Sequence, residues 1–392
     1  MSDRAPELVL VTGGSGFVGS HVVDRLLGAG RAVRIYDLRR SPWHPGADIV
    51  VGDVGDLGRL CRAMRGCAAV IHLAAAADVN EVLADPVEAE RRNAHGTLQV
   101  LEAARRTGVS RVVYASTIWA YSDTPMERLD ESLPLHPPAH LYTATKLAGE
   151  LYCRSYGELY GLDHTILRFG IPYGPRARPG AVVPAFTARA LAGEPLTIAG
   201  DGAQTRRFVY VEDLAEGVVR ALAPVAANRT YNLVGCEDTS VCDIAAAIRD
   251  VVGEAEIVHG PGRSGDFAGA PVSGARAAEE LGWTATTPFA EGVRRYVEWH
   301  RSAAPRSPRA EPAPVPGALA RRAVLALGGV LTALVIAGAA AGLVAIALLP
   351  WPPELRHLRH GHEMLLALLA LSAVLAGRLS SVRRLLPAWL HG

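Results

Sequence analysis

The stretch LVLVTGGSGFVGSHVV, residues 8–23, sets four glycines between an apolar, β-branched run and an amphipathic one. Gly13, Gly14, Gly16 and Gly19 allow a tight turn from strand to helix, with backbone N–H groups exposed along it. Ser15, Phe17 and Val18 occupy the remaining positions of that turn. Such a turn can approach a pyrophosphate closely, because the N-terminus of the following helix attracts anions. The arrangement predicts a dinucleotide site on a parallel sheet.

The following 150 residues agree with it. ELVLVTG, AVRIYD, DIVVGD, AAVIHLA, SRVVYAS and DHTILRF are short apolar runs without polar alternation. Strands of that kind are buried on both faces, so helices must cover both sides of the sheet. The amphipathic stretches HVVDRLLGAG and NAHGTLQVLEAARRTG lie between them. Right-handed crossovers then produce a doubly wound α/β sheet over residues 1–170. From 171 to 300 the chain becomes richer in Pro and Gly, which predicts a smaller substrate-binding domain. The segment RRFVYVEDLAEGVVRAL, within 204–223, is expected to rejoin the main sheet. Residues 301–320 read as a Pro/Ala-rich linker and 321–392 as a membrane anchor of one or two helices.

Charge and cysteine content narrow the function. A formal net charge of +1 gives no global field for nucleic acid. Five cysteines without a C-x-x-C pair predict free thiols in a reducing compartment, with no metal site. The start of the chain has no basic segment followed by an apolar core, so no signal peptide is expected there.

Asp37 ends the second strand, 18 residues after Gly19. A carboxylate there accepts from both ribose hydroxyls and repels a 2′-phosphate, which favours NAD over NADP. Tyr142 and Lys146 stand four apart on a helical stretch and therefore share a face. Lys146 is the only lysine, against 39 arginines. An ammonium is a compact point charge and a guanidinium a broad planar fork. At about 4 Å and an effective dielectric near 20, an ammonium favours a phenolate by roughly 4 kcal/mol.

The ordered motifs TGGSGFVGSH, GDV, HLAA, NAHGT, YASTIWAY, YTATK, LRFGIPYGPR, GDGAQTRRFVYVEDLA and GRSGD extend from residue 7 to about 300. Together they resemble the extended short-chain dehydrogenases/reductases, in the branch of NAD-dependent nucleotide-sugar epimerases and dehydratases. The resemblance implies a Rossmann domain and an enzyme in which Tyr142 is the acid/base. Lys146 would hold the cofactor ribose and lower the tyrosine pKa, and Thr117 would contact the reacting oxygen, with Ser116 as a substitute. It further implies cofactor contacts from Asp53, Val54, Leu73, Ala74, Ala75, Asn93 and Ser116. Arg206, Arg263 and Asp266 would grip the substrate nucleotide, and the molecule would form a homodimer.

Particular positions select within the family. Dehydratases carry Asp-Glu where Ile118 and Trp119 stand, and decarboxylases carry Glu at the Trp119 position. Neither Ile118 nor Trp119 moves a proton, so 4-epimerisation of a UDP-hexose through a transient 4-keto sugar is the expected reaction. Ile171 replaces an Asn that many relatives use to bond the sugar, and Ser122 replaces a usual glycine. Two alternatives stay open: a membrane-associated alcohol or hydroxysteroid-type dehydrogenase, and a non-catalytic NAD-binding module.

Ala323 to Leu349 is 27 residues without a charge, above the roughly 20 needed to cross a bilayer. Arg321 and Arg322 precede it, which places the catalytic domain on the cytoplasmic side of the cell membrane. A second apolar run of 14 residues, Met364 to Gly377, is short for a span and suits the interface instead, while Arg378, Arg383 and Arg384 after it favour a hairpin that returns to the cytoplasm.

Overall fold

The computed structural model describes residues 7–122, 128–261 and 271–303. Its centre is a seven-stranded, wholly parallel sheet. Six strands come from the first part of the chain: β1 (Leu8–Thr12), β2 (Ala32–Asp37), β3 (Asp48–Val51), β4 (Cys67–His72), β5 (Arg111–Thr117) and β6 (Asp163–Phe169). All six expected strands form. After the short strands β7 (Ile171–Tyr173), β8 (Leu196–Ala199), β9 (Thr205–Arg206) and β10 (Phe208–Tyr210) comes β11 (Arg229–Leu233), the seventh strand. The order is β3-β2-β1-β4-β5-β6-β11.

Alternation along the strands explains the two helical layers. Val9, Val11, Val33 and Ile35 face one core, which α1 (Phe17–Gly28) covers. Leu10 and Tyr36, one position out of phase, face a second core under α2 (Leu57–Met64). Two short helices, α3 (Val79–Ala84) and α4 (Pro86–Glu90), lead into α5 (Gly96–Thr107), and α6 (Leu141–Tyr160) lies beside α5 on that second face. Gly149 lets α6 seat directly on β5: a Cβ there would lie 2.2 Å from the Tyr114 hydroxyl oxygen.

A third core unites α7 (Val182–Leu191), α9 (Val241–Val252) and α11 (Phe289–Ala303) with β8 and β10. Three two-stranded ladders support it: β7 with β10, β9 with β12 (Thr239–Ser240), and β8 with β13 (Ile257–Gly260). This is the smaller substrate-side lobe.

Two expectations need correction. The 204–223 segment does not rejoin the main sheet through a strand, because β10 pairs with β7. It returns instead through α8 (Val211–Arg220), which packs on α1, while β11 and then α10 (Ala275–Leu281) complete that face. The linker expected from 301 also begins later, since α11 continues to Ala303. The remainder of the linker and the anchor lie outside the described residues. Among the described residues no helix is long and apolar enough to cross a membrane. All five cysteines are free thiols.

Candidate active site

A cleft of about 530 Å³ opens at the carboxyl ends of β1 and β4. Strand order reverses between these two strands, the place where open α/β sheets bind ligands. Gly13 adopts φ +71°, and a Cβ on Gly19 would lie 2.1 Å from the Gly13 carbonyl oxygen. The turn therefore tolerates no side chain at its crossing point. No side chain caps α1 at Gly16, so the amides of its first turn remain for an anion. Gly13, Gly16, Phe17, Val18 and Gly19 line the cleft, as do Asp37, Asp53, Val54, Leu73, Ala74 and Ala75. A dinucleotide fits this set of donors, carboxylates and apolar walls.

Asp37 accepts from the backbone N–H of Ser15 at 3.0 Å and of Arg39 at 3.3 Å. Burial raises its carboxyl pKa, and those backbone donors oppose the rise. Asp53 takes both ends of the Arg91 guanidinium, at 2.8 and 3.1 Å, and its carboxyl is held below the ordinary range chiefly by that contact.

Three expected cofactor residues stand behind the cleft wall. Gly14 packs against Ile35, 3.0 Å from where its Cβ would sit, and Ser15 braces Asp37. Asn93 is 1% exposed. Its amide bridges the Ala76 backbone at 2.7 and 3.0 Å and reaches the Thr145 hydroxyl at 3.0 Å. Both of its Nδ2 hydrogens tie the β4 loop to α6, and its Oδ1, bonded by the Ala76 N–H, keeps a second lone pair.

Thr117, Tyr142 and Lys146 all line the cleft. His140 caps α6, its Nδ1 accepting from the Tyr142 N–H at 3.2 Å. Thr117 Oγ1 accepts from the Trp119 N–H at 3.2 Å and so starts the turn that follows β5. Ser116 lies one position out of phase with Thr117. Ser116 also lines the cleft, and its hydroxyl donates to Glu150 at 2.6 Å.

The electrostatics differ from the expectation for the Tyr/Lys pair. Burial pushes the Tyr142 hydroxyl up to about 12, and the Arg178 guanidinium opposes that rise. Lys146 Nζ donates to the Ala115 carbonyl at 2.9 Å, and burial lowers its pKa to about 8. Arg178 was not found by sequence reasoning, and in GPRARP nothing sets it apart from its neighbours. It lines the cleft and forms an ion pair with Asp78, at the start of α3.

Trp119, Phe169, Ile171 and Pro172 form an apolar stretch of the cleft wall, and Arg39 and Arg92 also line it. Arg206 lies on β9 outside this lining and donates to the Thr205 carbonyl at 2.8 Å. Arg263 and Asp266 lie outside the described residues.

Comparison with known proteins matches this arrangement. The pattern of the NAD dependent epimerase/dehydratase family covers residues 9–234, more than half of the chain. The UDP-glucose 4-epimerase of Mycolicibacterium smegmatis is 35% identical over 309 residues, 75% of this chain and 98% of that protein. The crystal structure of UDP-glucose 4-epimerase from Thermotoga maritima with UDP-glucose superposes with a TM-score of 0.71 at 32% identity, covering 75% of this chain and 99% of the other. The dTDP-glucose 4,6-dehydratase from Streptomyces venezuelae, with NAD bound, gives 0.71 at 32% identity, covering 76% and 97%. The chain belongs to the NAD dependent epimerase/dehydratase family and is an NAD-dependent enzyme of the extended short-chain dehydrogenase/reductase type.

Proposed function

We propose that the protein is a nucleotide-sugar 4-epimerase, acting on a UDP-hexose through a transient 4-keto sugar. The observation that carries this reading is the cleft around Tyr142, Lys146 and Thr117, with Ile118 and Trp119 following Thr117. Bound NAD supplies the hydride acceptor and donor. Tyr142 takes the C4 hydroxyl proton and returns it, Thr117 orients the same oxygen, and Lys146 holds the ribose. Neither Ile118 nor Trp119 can act as the additional acid or base that elimination of water requires. Arg206, Arg263 and Asp266 are proposed to hold the nucleotide.

The test incubates the protein, without added reductant, with UDP-, GDP- and dTDP-sugars and resolves the epimers. Interconversion with no net accumulation of reduced cofactor is expected. The apolar wall of Trp119, Phe169 and Ile171 favours a second reading, an alcohol or hydroxysteroid-type dehydrogenase. Stoichiometric reduced cofactor from a sterol alcohol would establish it instead.

Asp37→Ala is expected to narrow the preference for NAD over NADP by at least about tenfold, read as the ratio of their dissociation constants. Arg178→Met removes the cation that opposes the rise at Tyr142, so the tyrosine pKa should climb further. The basic form then appears only at higher pH, and the rising limb of kcat/KM against pH should move alkaline by about half a unit or more. An unmoved limb would separate Arg178 from Tyr142.

The homodimer is proposed to form through α5 and α6. Leu151 and Leu159 on α6 are 63% and 71% exposed, and native mass spectrometry reads the mass. Residues 323–349 are proposed to anchor the enzyme in the cell membrane with the catalytic domain in the cytoplasm. The full-length protein should sediment with membranes and require detergent for release, whereas a chain ending at residue 303 should not.

A further inference from the structure

Beneath the cleft runs a buried polar chain that the proposed chemistry does not use. Glu150 and Arg168 form an ion pair with side chains 3% exposed each, bonded at 2.7 and 2.9 Å. Glu150 also accepts from the Ser116 hydroxyl at 2.6 Å, the length of a charge-assisted bond. Arg168 Nη1 donates to the Tyr121 hydroxyl at 2.7 Å, and that hydroxyl donates to Asn232 Oδ1 at 2.9 Å. The Arg168 guanidinium also lies 4.9 Å from the centre of the Tyr121 ring.

Burying two charges costs desolvation that their attraction barely returns, so such a pair is weak evidence for stability. Its connections indicate a different use. Ser116 immediately precedes Thr117, and Tyr121 ends the turn that Thr117 begins. Glu150 lies one helical turn beyond Lys146 and two beyond Tyr142, on α6. One carboxylate–guanidinium pair therefore grips the Thr117 turn at both ends and joins it to the helix that carries the tyrosine.

We propose that Ser116, Glu150, Arg168 and Tyr121 are positioning residues, holding the Thr117 hydroxyl in register with Tyr142. This rests on the reading of Tyr142 and Thr117 as the reacting pair. Two hydroxyls that must meet one oxygen are sensitive to misplacement, and an error of 1 Å costs about 10²-fold in rate. The network touches neither the glycine turn nor Asp37, so cofactor affinity is expected to change far less than kcat.

Two variants test the proposal. Ser116→Ala cuts the link to Thr117 and leaves the ion pair in place. The double variant Glu150→Leu/Arg168→Met removes both charges together, the change that buried pairs tolerate best. In each, kcat should fall at least about tenfold, while KM, the NAD dissociation constant and Tm stay near those of the parent. Unchanged kcat in Ser116→Ala, or in a folded double variant, overturns the proposal, as does a loss of kcat that follows loss of Tm or of NAD binding. If the double variant does not fold, Ser116→Ala alone decides. Tyr142→Phe separates the two levels: an active Tyr142→Phe defeats the underlying reading. An inactive Tyr142→Phe beside a fully active Ser116→Ala defeats the positioning role only.

Discussion

Tyr142→Phe is expected to lower kcat by about 10³-fold or more while leaving the NAD dissociation constant within about twofold. A positioned acid/base contributes roughly 10²–10⁴ in rate, and this substitution removes only the hydroxyl. The ring packs beside Ala76, Val82 and Ala89, and a phenylalanine keeps those contacts. On the proposed reading NAD is held by the glycine turn, Asp37 and Lys146, none of which the hydroxyl supports. Initial rates and calorimetric titration on the same preparation give both numbers. A variant retaining a tenth of the parent rate would remove Tyr142 from the chemistry.

Lys146→Arg is expected to cost about 10²-fold in kcat. The lysine is buried, donates to the Ala115 carbonyl, and lies 5.3 Å from the centre of the Tyr114 ring. A guanidinium is broader and flat, so in the same space it cannot keep the bond to Ala115 and reach a ribose together. The titration of Lys146 offers an independent check. Its folded pKa of about 8 lies below the ordinary 10.5, so between these values the unfolded chain holds more protons. The cost of burying the ammonium is therefore fully present below pH 8, and this group raises stability as the pH climbs from about 8 to 10.5. Lys146→Met should flatten that part of the curve of Tm against pH. With only one lysine in the chain, a ¹³C label at Cε gives a single lysine side-chain resonance whose midpoint can be read directly.

The sheet and glycine turn were legible because burial on both faces leaves a strand no polar alternation, and six such runs stand in order. The short ladders were not. Strands of two to four residues, such as β9 with β12, carry too few positions to declare a period, and surrounding packing sets their pairing. Tyr142 and Lys146 were readable as a pair because lysine is unique here. Arg178 and Arg91 were hidden for the opposite reason, since among 39 arginines neither stands in a motif that sets it apart. Asn93 was legible as a motif position, but its use in tying a loop to α6 depends on Thr145, 52 residues away. The Glu150–Arg168 pair did leave a trace. DHTILRF places an arginine inside a run that reads as buried on both faces, and a charge there requires an opposite charge close by.

The position of β11 bears on how the protein is made. Among the described residues the outer edge of β6 pairs only with β11, and 59 residues separate Phe169 from Arg229. At a ribosomal rate of about 5–20 residues per second, that edge waits roughly 3–12 s for its partner. In that interval Thr165, Ile166 and Leu167 present unpaired backbone and apolar side chains, the combination that recruits other chains. Arg168, the next residue, reaches Glu150 on α6, which has already been synthesised. A strand that emerges with its charge already partnered has one fewer reason to pair wrongly before β11 arrives. Nascent chains stalled shortly before residue 229 are therefore the point at which a chaperone would be needed, well before any of the tail leaves the ribosome.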